Sequence, residues 1–112
     1  MVIMLREQRL YQTLSTALQP EFIRIENESS SHHVPAGSET HFKITLVSLQ
    51  FIQHTRVARH RAVHALVATE FTQGLHALSL HLFTPDEWHR HGQKTAPSPT
   101  CLGGKQRESR HS

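Results

Sequence analysis

The chain has 112 residues and a formal net charge of +3 at pH 7, so it has room for one compact domain with a modest core. It contains no run of about 18 apolar residues, and its amino terminus turns polar too early for a signal peptide, so we expect a cytoplasmic protein without a membrane span. The single cysteine, Cys101, excludes an internal disulfide and cannot alone hold a structural zinc or an iron–sulfur cluster.

The excess positive charge lies at the carboxyl-terminal end of the chain. Through His91, eight Lys and Arg face eight Asp and Glu, and the whole surplus follows. Residues 92–112 are rich in Pro, Ser, Gly and Lys, which predicts a flexible basic tail after a single domain at residues 1–91. A nucleic-acid-binding domain normally carries its basic surface on the folded part, so this charge is weak evidence for such a partner.

The first half of the chain predicts a helix followed by two strands. Apolar residues at helical spacing predict a helix over residues 3–18. Alternating patterns predict strands over 21–28 and 40–48. The segment between them, 29–38, is too long for a tight hairpin, and loops of this length often carry function.

A second helix is predicted over residues 54–71. At 100° per residue, one stripe of this helix holds Val57, His60, Val63, Val67 and Phe71. We therefore expect His60 to be a hydrogen-bonded core histidine. Arg59 and Arg61 should project to opposite sides of the stripe and should not form one basic patch.

The last two elements are a strand and a short capped helix. The run "LHALSLHLF" predicts a third strand over residues 75–83. Thr84 as N-cap, Pro85 at the first helical position and Glu87 three residues past the cap form a capping box. This is the clearest local structural signal in the sequence.

The order of these elements predicts an α/β domain with a mixed sheet. A helix of about 18 residues is long enough to return the chain along the preceding strand, so the third strand should run parallel to the second. Parallel strands start at the same edge of a sheet. We therefore expect His76, at the start of the third strand, to approach His32, His33 or His41.

His76 has two interpretations from its pattern alone. It can pack beside Leu78 and donate to a backbone carbonyl, or it can act as a metal ligand with a histidine of the 29–38 loop. Two ligands are too few for a closed site, so a metal centre here would need ligands from a partner.

No catalytic arrangement is persuasive, and we expect the protein not to be an enzyme. The serines of the loop lack an elbow motif and an orienting acid, and no P-loop or dinucleotide pattern is present. Glu39 and His41 alternate on one strand face and could form an acid–base pair, although such a pair at a strand start is usually solvated.

Several motifs together resemble the BolA family. They are "HHVPAGSETHFKITLVS", "RHR" at 59–61, "LHALSLHLFTPDEW" and "SPTCLGG", in order and with matching spacing along essentially the whole chain. The resemblance implies an α-β-β-α-β-α fold similar to class II KH domains, with a three-stranded mixed sheet and helices packed on one face. It also implies a non-enzymatic partner of a monothiol glutaredoxin, acting in iron–sulfur trafficking or in iron and redox sensing.

The resemblance further implies a set of ligands. His76 and His32 would complete a bridged [2Fe–2S] cluster whose other ligands come from the glutaredoxin cysteine and glutathione, with His33 as the fallback for His32. The chain alone would hold no cofactor and would be a monomer or a weak homodimer. Histidine ligation of one iron has a precedent in Rieske centres, where it raises the cluster potential.

The family resemblance also supplies an alternative function. Members are described as DNA-binding transcriptional regulators of stress response and cell morphology, and here Arg56 and Arg59 would be the contacting residues. The sequence lacks the GxxG loop of nucleic-acid-binding KH domains, and its folded part is charge-balanced. These features favour the glutaredoxin partner over DNA.

Overall fold

The structure is a computed structural model that describes residues 5–29 and 38–94. Its elements are α1 (Arg6–Leu18), β1 (Phe22–Asn27), β2 (His41–Val47), a 3-10 helix (Leu49–Gln53), α2 (Arg56–Leu66), α3 (Ala68–Phe71), β3 (Ala77–Phe83) and α4 (Pro85–Arg90). The predicted order is confirmed with two differences. The 3-10 helix was not predicted, and the long second helix is interrupted at Val67. Within the described ranges, no helix combines the length and the apolar composition needed to cross a bilayer.

The sheet has the order β1-β2-β3, with β1 antiparallel and β3 parallel to β2. The mixed sheet and the parallel third strand predicted from the sequence are therefore confirmed. In the parallel pair, His41 stands opposite Ala77 at the first position and Val47 stands opposite Phe83 at the last. This register brings the residue before Ala77, which is His76, to the edge where β2 begins.

The main core lies between one face of the sheet and helices α1, α2 and α3. Its buried members include Leu10, Leu14, Leu18, Phe42, Ile44, Leu46, Val63, Val67 and Leu82. The three leucines of α1 confirm the apolar stripe predicted for that helix. β2 is the central strand, and all of its residues from Phe42 to Val47 are buried on both faces.

Helix α4 packs on the opposite face of the sheet. Trp88 contacts Phe22, Val47 and Phe83, which alternate with the residues of the main core along their strands. The expected packing on one face thus describes α1, α2 and α3, and α4 is the exception. The cause is local, because the capping box at Thr84 starts α4 directly after Phe83. Trp88, about one helical turn into α4, then packs against the ring of Phe83.

The predicted stripe of the second helix is wrong in its first half. Val57 is 58% exposed and His60 is also exposed, whereas Arg59 is only 5% exposed and Val63 is fully buried. Nε2 of His60 does lie 3.4 Å from the carbonyl oxygen of Leu80, but this contact is at the surface and not in the core. The buried face is rotated because an ion pair allows an arginine to occupy a core position.

The predicted boundary between domain and tail falls at the limit of the described residues. α4 ends at Arg90 and residues 91–93 form a turn. Most of the tail predicted at 92–112 lies outside the described residues, as does the start of the helix predicted over 3–18. The division of the chain at residue 91 stays a prediction.

Candidate metal-ligand site

His76 lies at the end of the sheet where the two parallel strands, β2 and β3, begin. Its backbone N–H donates to the carbonyl of Thr40 at 2.8 Å, and the N–H of Ala77 donates to the same carbonyl at 3.1 Å. His76 is exposed, and so is Ala77, the first residue of β3. This exposure favours the second of its two sequence interpretations, a ligand, over a side chain packed beside Leu78.

The histidine that meets His76 is His41. The two ring centres are 5.7 Å apart, with the ring planes at 83°. Nδ1 of His41 lies 2.8 Å from the hydroxyl oxygen of Thr40. The predicted approach of His76 to a histidine across the parallel register is thus confirmed for His41, while His32 and His33 lie outside the described residues.

The surroundings of His76 fit the role of a ligand in a shared site. An imidazole that coordinates a metal or cluster needs an accessible nitrogen, and the ring of His76 is open to solvent. Among residues 5–29 and 38–94, no group of three or more His, Cys, Asp or Glu side chains could hold a metal ion. Among the described residues, the histidine that contacts His76 is His41.

Glu39 does not form the acid–base pair with His41 that the alternation allowed. Its two carboxylate oxygens accept from the backbone N–H groups of Arg6 at 2.9 Å and Glu7 at 3.0 Å. These N–H groups belong to the first turn of α1, where an acidic side chain is favoured by the helix dipole. Glu39 therefore caps α1 and fixes the end of the 29–38 loop to it.

Arg6 joins the two segments that carry the paired histidines. Its guanidinium donates to the carbonyl of Glu39, to the carbonyl of Gln73 at 2.6 Å and to the carboxylate of Glu70 at 2.9 Å. One of these acceptors precedes His41 by two residues, and another precedes His76 by three. Arg6 thus braces both approaches to the sheet edge, although nothing in the local sequence signals this role.

The turn before His76 depends on a glycine and on the same arginine. Gly74 has φ of +113°, and a Cβ at that position would lie 3.4 Å from Nη2 of Arg6.

Glu70, which accepts from Arg6, also accepts from Arg9, at 2.7 and 2.9 Å. These arginine hydrogen bonds hold the pKa of Glu70 below its usual value despite burial, so the cluster is ionised at neutral pH.

The opposite edge of the sheet holds Arg59, which the sequence offered as a DNA contact. Its guanidinium pairs with Glu87 at 2.6 and 3.2 Å and donates to the backbone carbonyls of His54 and Leu82. Arg59 is therefore a buried structural cation and does not present its charge at the surface. Arg56, its companion in that interpretation, is exposed.

Glu87 serves two structures at once. Its carboxylate accepts from Arg59 and also from the backbone N–H of Thr84 at 2.9 Å, which completes the predicted capping box. The hydrogen bonds from Arg59, followed by the one from Thr84, lower the pKa of Glu87 to about 2 against the opposing effect of burial.

Sequence comparisons identify related proteins along most of the chain. A family model described as "BolA-like protein" matches residues 14–87. The "DNA-binding transcriptional regulator BolA" of Vibrio cholerae is 46% identical over 96 residues, covering 86% of this chain and 91% of that protein. Human "BolA-like protein 1" is 44% identical over 94 residues, covering 84% of this chain and 68% of that protein.

Solved structures agree with these sequence relationships. The solution structure of BolA1 from Mus musculus matches with a TM-score of 0.72 and 41% identity, covering 87% of this chain and 78% of that one. BolA1 from Arabidopsis thaliana matches with a TM-score of 0.70 and 40% identity, covering 76% of this chain and 98% of that one. The chain belongs to the BolA-like family.

Proposed function

We propose that this protein is a non-enzymatic partner of a monothiol glutaredoxin, with which it shares a bridged [2Fe–2S] cluster in iron–sulfur trafficking or iron and redox sensing. The observation that carries the proposal is the exposed imidazole of His76 at the sheet edge where β2 and β3 begin. A ligand supplied to a cluster between two proteins has to be accessible to the partner, and His76 is. The second ligand in the proposal is His32, with His33 as its fallback.

Imidazole ligation gives such a cluster two properties that thiolate ligation would not. Neutral histidine in place of a thiolate changes the cluster charge and raises its reduction potential. Ligation requires the neutral imidazole, so protons compete with the iron for the ring and acid would weaken cluster binding. Both properties suit a protein that hands on or senses a cluster.

The test is a titration of the protein with a cluster-loaded monothiol glutaredoxin, followed by visible absorption and circular dichroism. Wild-type protein should change the spectrum of the cluster, and H76A and H32A should each abolish that change. H89A is the matched control, because His89 is an exposed histidine on α4, and it should behave as wild type. A full spectral change with both H76A and H32A would exclude these ligands.

DNA binding is the second candidate, because relatives in Vibrio cholerae and Escherichia coli carry the name "DNA-binding transcriptional regulator BolA". Within α2, Arg56 is exposed and available for a phosphate contact, whereas Arg59 is buried. Fluorescence anisotropy with a labelled duplex should then show affinity that falls steeply with salt and that weakens in R56Q but not in R90Q. Binding that is undetectable at low salt would remove this candidate.

A further inference from the structure

We propose that residues 95–102 of this chain, "TAPSPTCL", dock as an extended Pro-rich segment on the face of the sheet that carries Trp88. We call this face, which lies opposite the main core, the second face. Three features of the described residues support such docking: polar atoms buried on the second face, an aromatic groove beside them, and the direction in which the chain leaves α4. The docking does not depend on the proposed cluster.

The second face of the sheet is apolar at one end and polar beyond it. Trp88 of α4 contacts the apolar end, which includes Val47. Two residues back along β2, Thr45 points to the same face. Its neighbours in the strand register are Arg24 and His81. Thr45 is nevertheless 0% exposed, so the polar part of this face is also shielded from water.

Two polar atoms on the second face are buried without a hydrogen bond. Among the described residues, Oγ1 of Thr45 and Oε2 of Glu26 are inaccessible to solvent and have no partner. Glu26 belongs to this face because it stands opposite Lys43, two residues before Thr45 in β2. A buried oxygen without a partner costs free energy, and native proteins leave few of them. We therefore expect hydrogen-bonding groups from elsewhere to reach both atoms.

An aromatic groove lies beside these atoms. The residues that line it include Phe22, Arg24, Trp88 and Gln93. The rings of Phe22 and Trp88 are stacked with their centres 5.2 Å apart, and the guanidinium carbon of Arg24 lies 5.1 Å from the centre of the Phe22 ring. Aromatic grooves bind Pro-rich segments because such segments are already extended and lose little conformational entropy on docking. The groove is therefore suited to a Pro-rich occupant.

The chain turns into this groove as it leaves α4. The helix ends in a Schellman motif, in which Gly92 donates to the carbonyl of His89 and Gln93 donates to the carbonyl of Trp88, both at 3.0 Å. Gly92 and Gln93 have φ of +67° and +61°. A glutamine in this left-handed region is uncommon and persists where the surrounding structure fixes it. Because Gln93 lines the groove, the residues that follow Lys94 start beside it.

Residues 95–102 have the composition and the length that this surface requires. Their two prolines favour an extended backbone. At about 3.1 Å per residue the segment spans roughly 25 Å, whereas the four residues of β1 from Phe22 to Glu26 cover only about 13 Å. Its Ser and Thr hydroxyls can donate to the carboxylate of Glu26, and its backbone carbonyls can accept from Thr45. The flexibility predicted for the tail would then apply to the part after residue 102.

The fluorescence of Trp88 tests the docking, because Trp88 is the single tryptophan of the chain. In a full-length variant, residues 95–102 are replaced by alternating Gly and Ser, which form a flexible chain. We expect stronger acrylamide quenching of Trp88 and emission at longer wavelength than in wild type. The matched control replaces residues 105–112 in the same way and should behave as wild type. Equal quenching in wild type and in both variants would overturn the docking.

A nitroxide on Cys101, the single cysteine, locates the segment by NMR. Broadening should extend to Thr45 and Glu26 on the second face, and broadening confined to the residues around Lys94 would overturn the proposal. A mixture of nitroxide-labelled chains and isotope-labelled chains without nitroxide tests for exchange between copies. We expect no broadening in this mixture, and broadening of Thr45 there would assign the contact to a second copy instead.

Thr45→Val tests the hydrogen bond itself. A bond from Oγ1 of Thr45 to residues 95–102 predicts that T45V lowers the free energy of unfolding in the wild-type background and not in the Gly/Ser variant. A water molecule as the partner would give the same loss in both backgrounds, and a hydroxyl without a partner would give no loss in either. Either of these two results would overturn the docking at Thr45.

Discussion

The two ends of the parallel strand pair differ in the burial of their polar residues. We call the end of the sheet at which β2 and β3 begin the starting edge, and the end at which they stop the finishing edge. At the starting edge, His76 continues the alternation of Leu78, Leu80 and Leu82 and is nevertheless exposed, next to His41. At the finishing edge, Arg59 is a charged residue on a helix and is nevertheless buried, paired with Glu87. Strand alternation would assign His76 to the wrong environment, and residue type would do the same for Arg59.

The two edges differ in the partners that the chain supplies to the polar side chain. Arg59 finds a carboxylate and two backbone carbonyls within its own chain, so its burial is compensated. His76 makes its described contacts through its backbone and through an edge-on contact with the ring of His41, and it is exposed. The first edge therefore serves stability, and the second is open to a ligand.

The largest effect should come from breaking the pair between Arg59 and Glu87. Arg59→Met leaves the Glu87 carboxylate without its buried partner and should lower the free energy of unfolding by about 3–5 kcal/mol. R61M on the same helix is the control, because Arg61 is exposed, and it should change stability by no more than about 0.5 kcal/mol. Urea denaturation measures both.

The double variant R59M/E87Q distinguishes a lost partner from lost packing. Removing the charge of Glu87 together with Arg59 should recover part of the stability lost in R59M alone, because no uncompensated carboxylate remains. Equal destabilisation in R59M and R61M would show that the finishing edge is not held by this pair.

The carboxylate of Glu87 at the finishing edge should make the free energy of unfolding depend on pH. The folded-state pKa of Glu87 is about 2, below its ordinary value of 4.5, so the ionised carboxylate favours the folded state. Its contribution, up to about 3 kcal/mol, is complete above pH 4.5 and is lost as the pH falls from there toward 2. Unfolding free energies measured across this range should fall more steeply in wild type than in E87Q, and equal slopes would contradict the assignment.

A smaller effect is expected from the brace at the starting edge. Arg6→Gln removes hydrogen bonds to Glu39, Gln73 and Glu70 and should cost about 2 kcal/mol. R9Q should cost less, since the side chain of Arg9 is 39% exposed and that of Arg6 is 12% exposed. NMR should also show shifted His41 and His76 ring signals in R6Q, and unchanged signals there would separate the brace from the histidine pair.

The smallest change in stability should come from His76 itself. Because its side chain is exposed, His76→Ala should alter the free energy of unfolding by no more than about 0.5 kcal/mol. The contrast with Arg59 would then be complete, since one edge tolerates the loss of its polar side chain and the other does not. A loss above about 2 kcal/mol in the same urea experiment would assign His76 to the core.

Sequence reasoning succeeded where the signal was local or periodic. The leucine stripe of α1, the strands β1 to β3 and the capping box at Thr84 depend on neighbouring residues, and all are confirmed. It failed for the buried face of α2, because an apolar stripe treats every arginine as a surface residue. Arg59 breaks that assumption through Glu87, which lies 28 residues away.

The sequence by itself determined the element order, the parallel third strand and therefore the edge at which His76 stands, because helix length and strand pattern restrict how the chain can return. Only the tertiary structure decided that His76 is exposed beside His41, that Arg6 braces both segments and that Arg59 is buried. These outcomes depend on contacts between residues that are far apart in the chain. Such contacts leave no periodic signal in the sequence, since they form only when the packed elements bring those residues together.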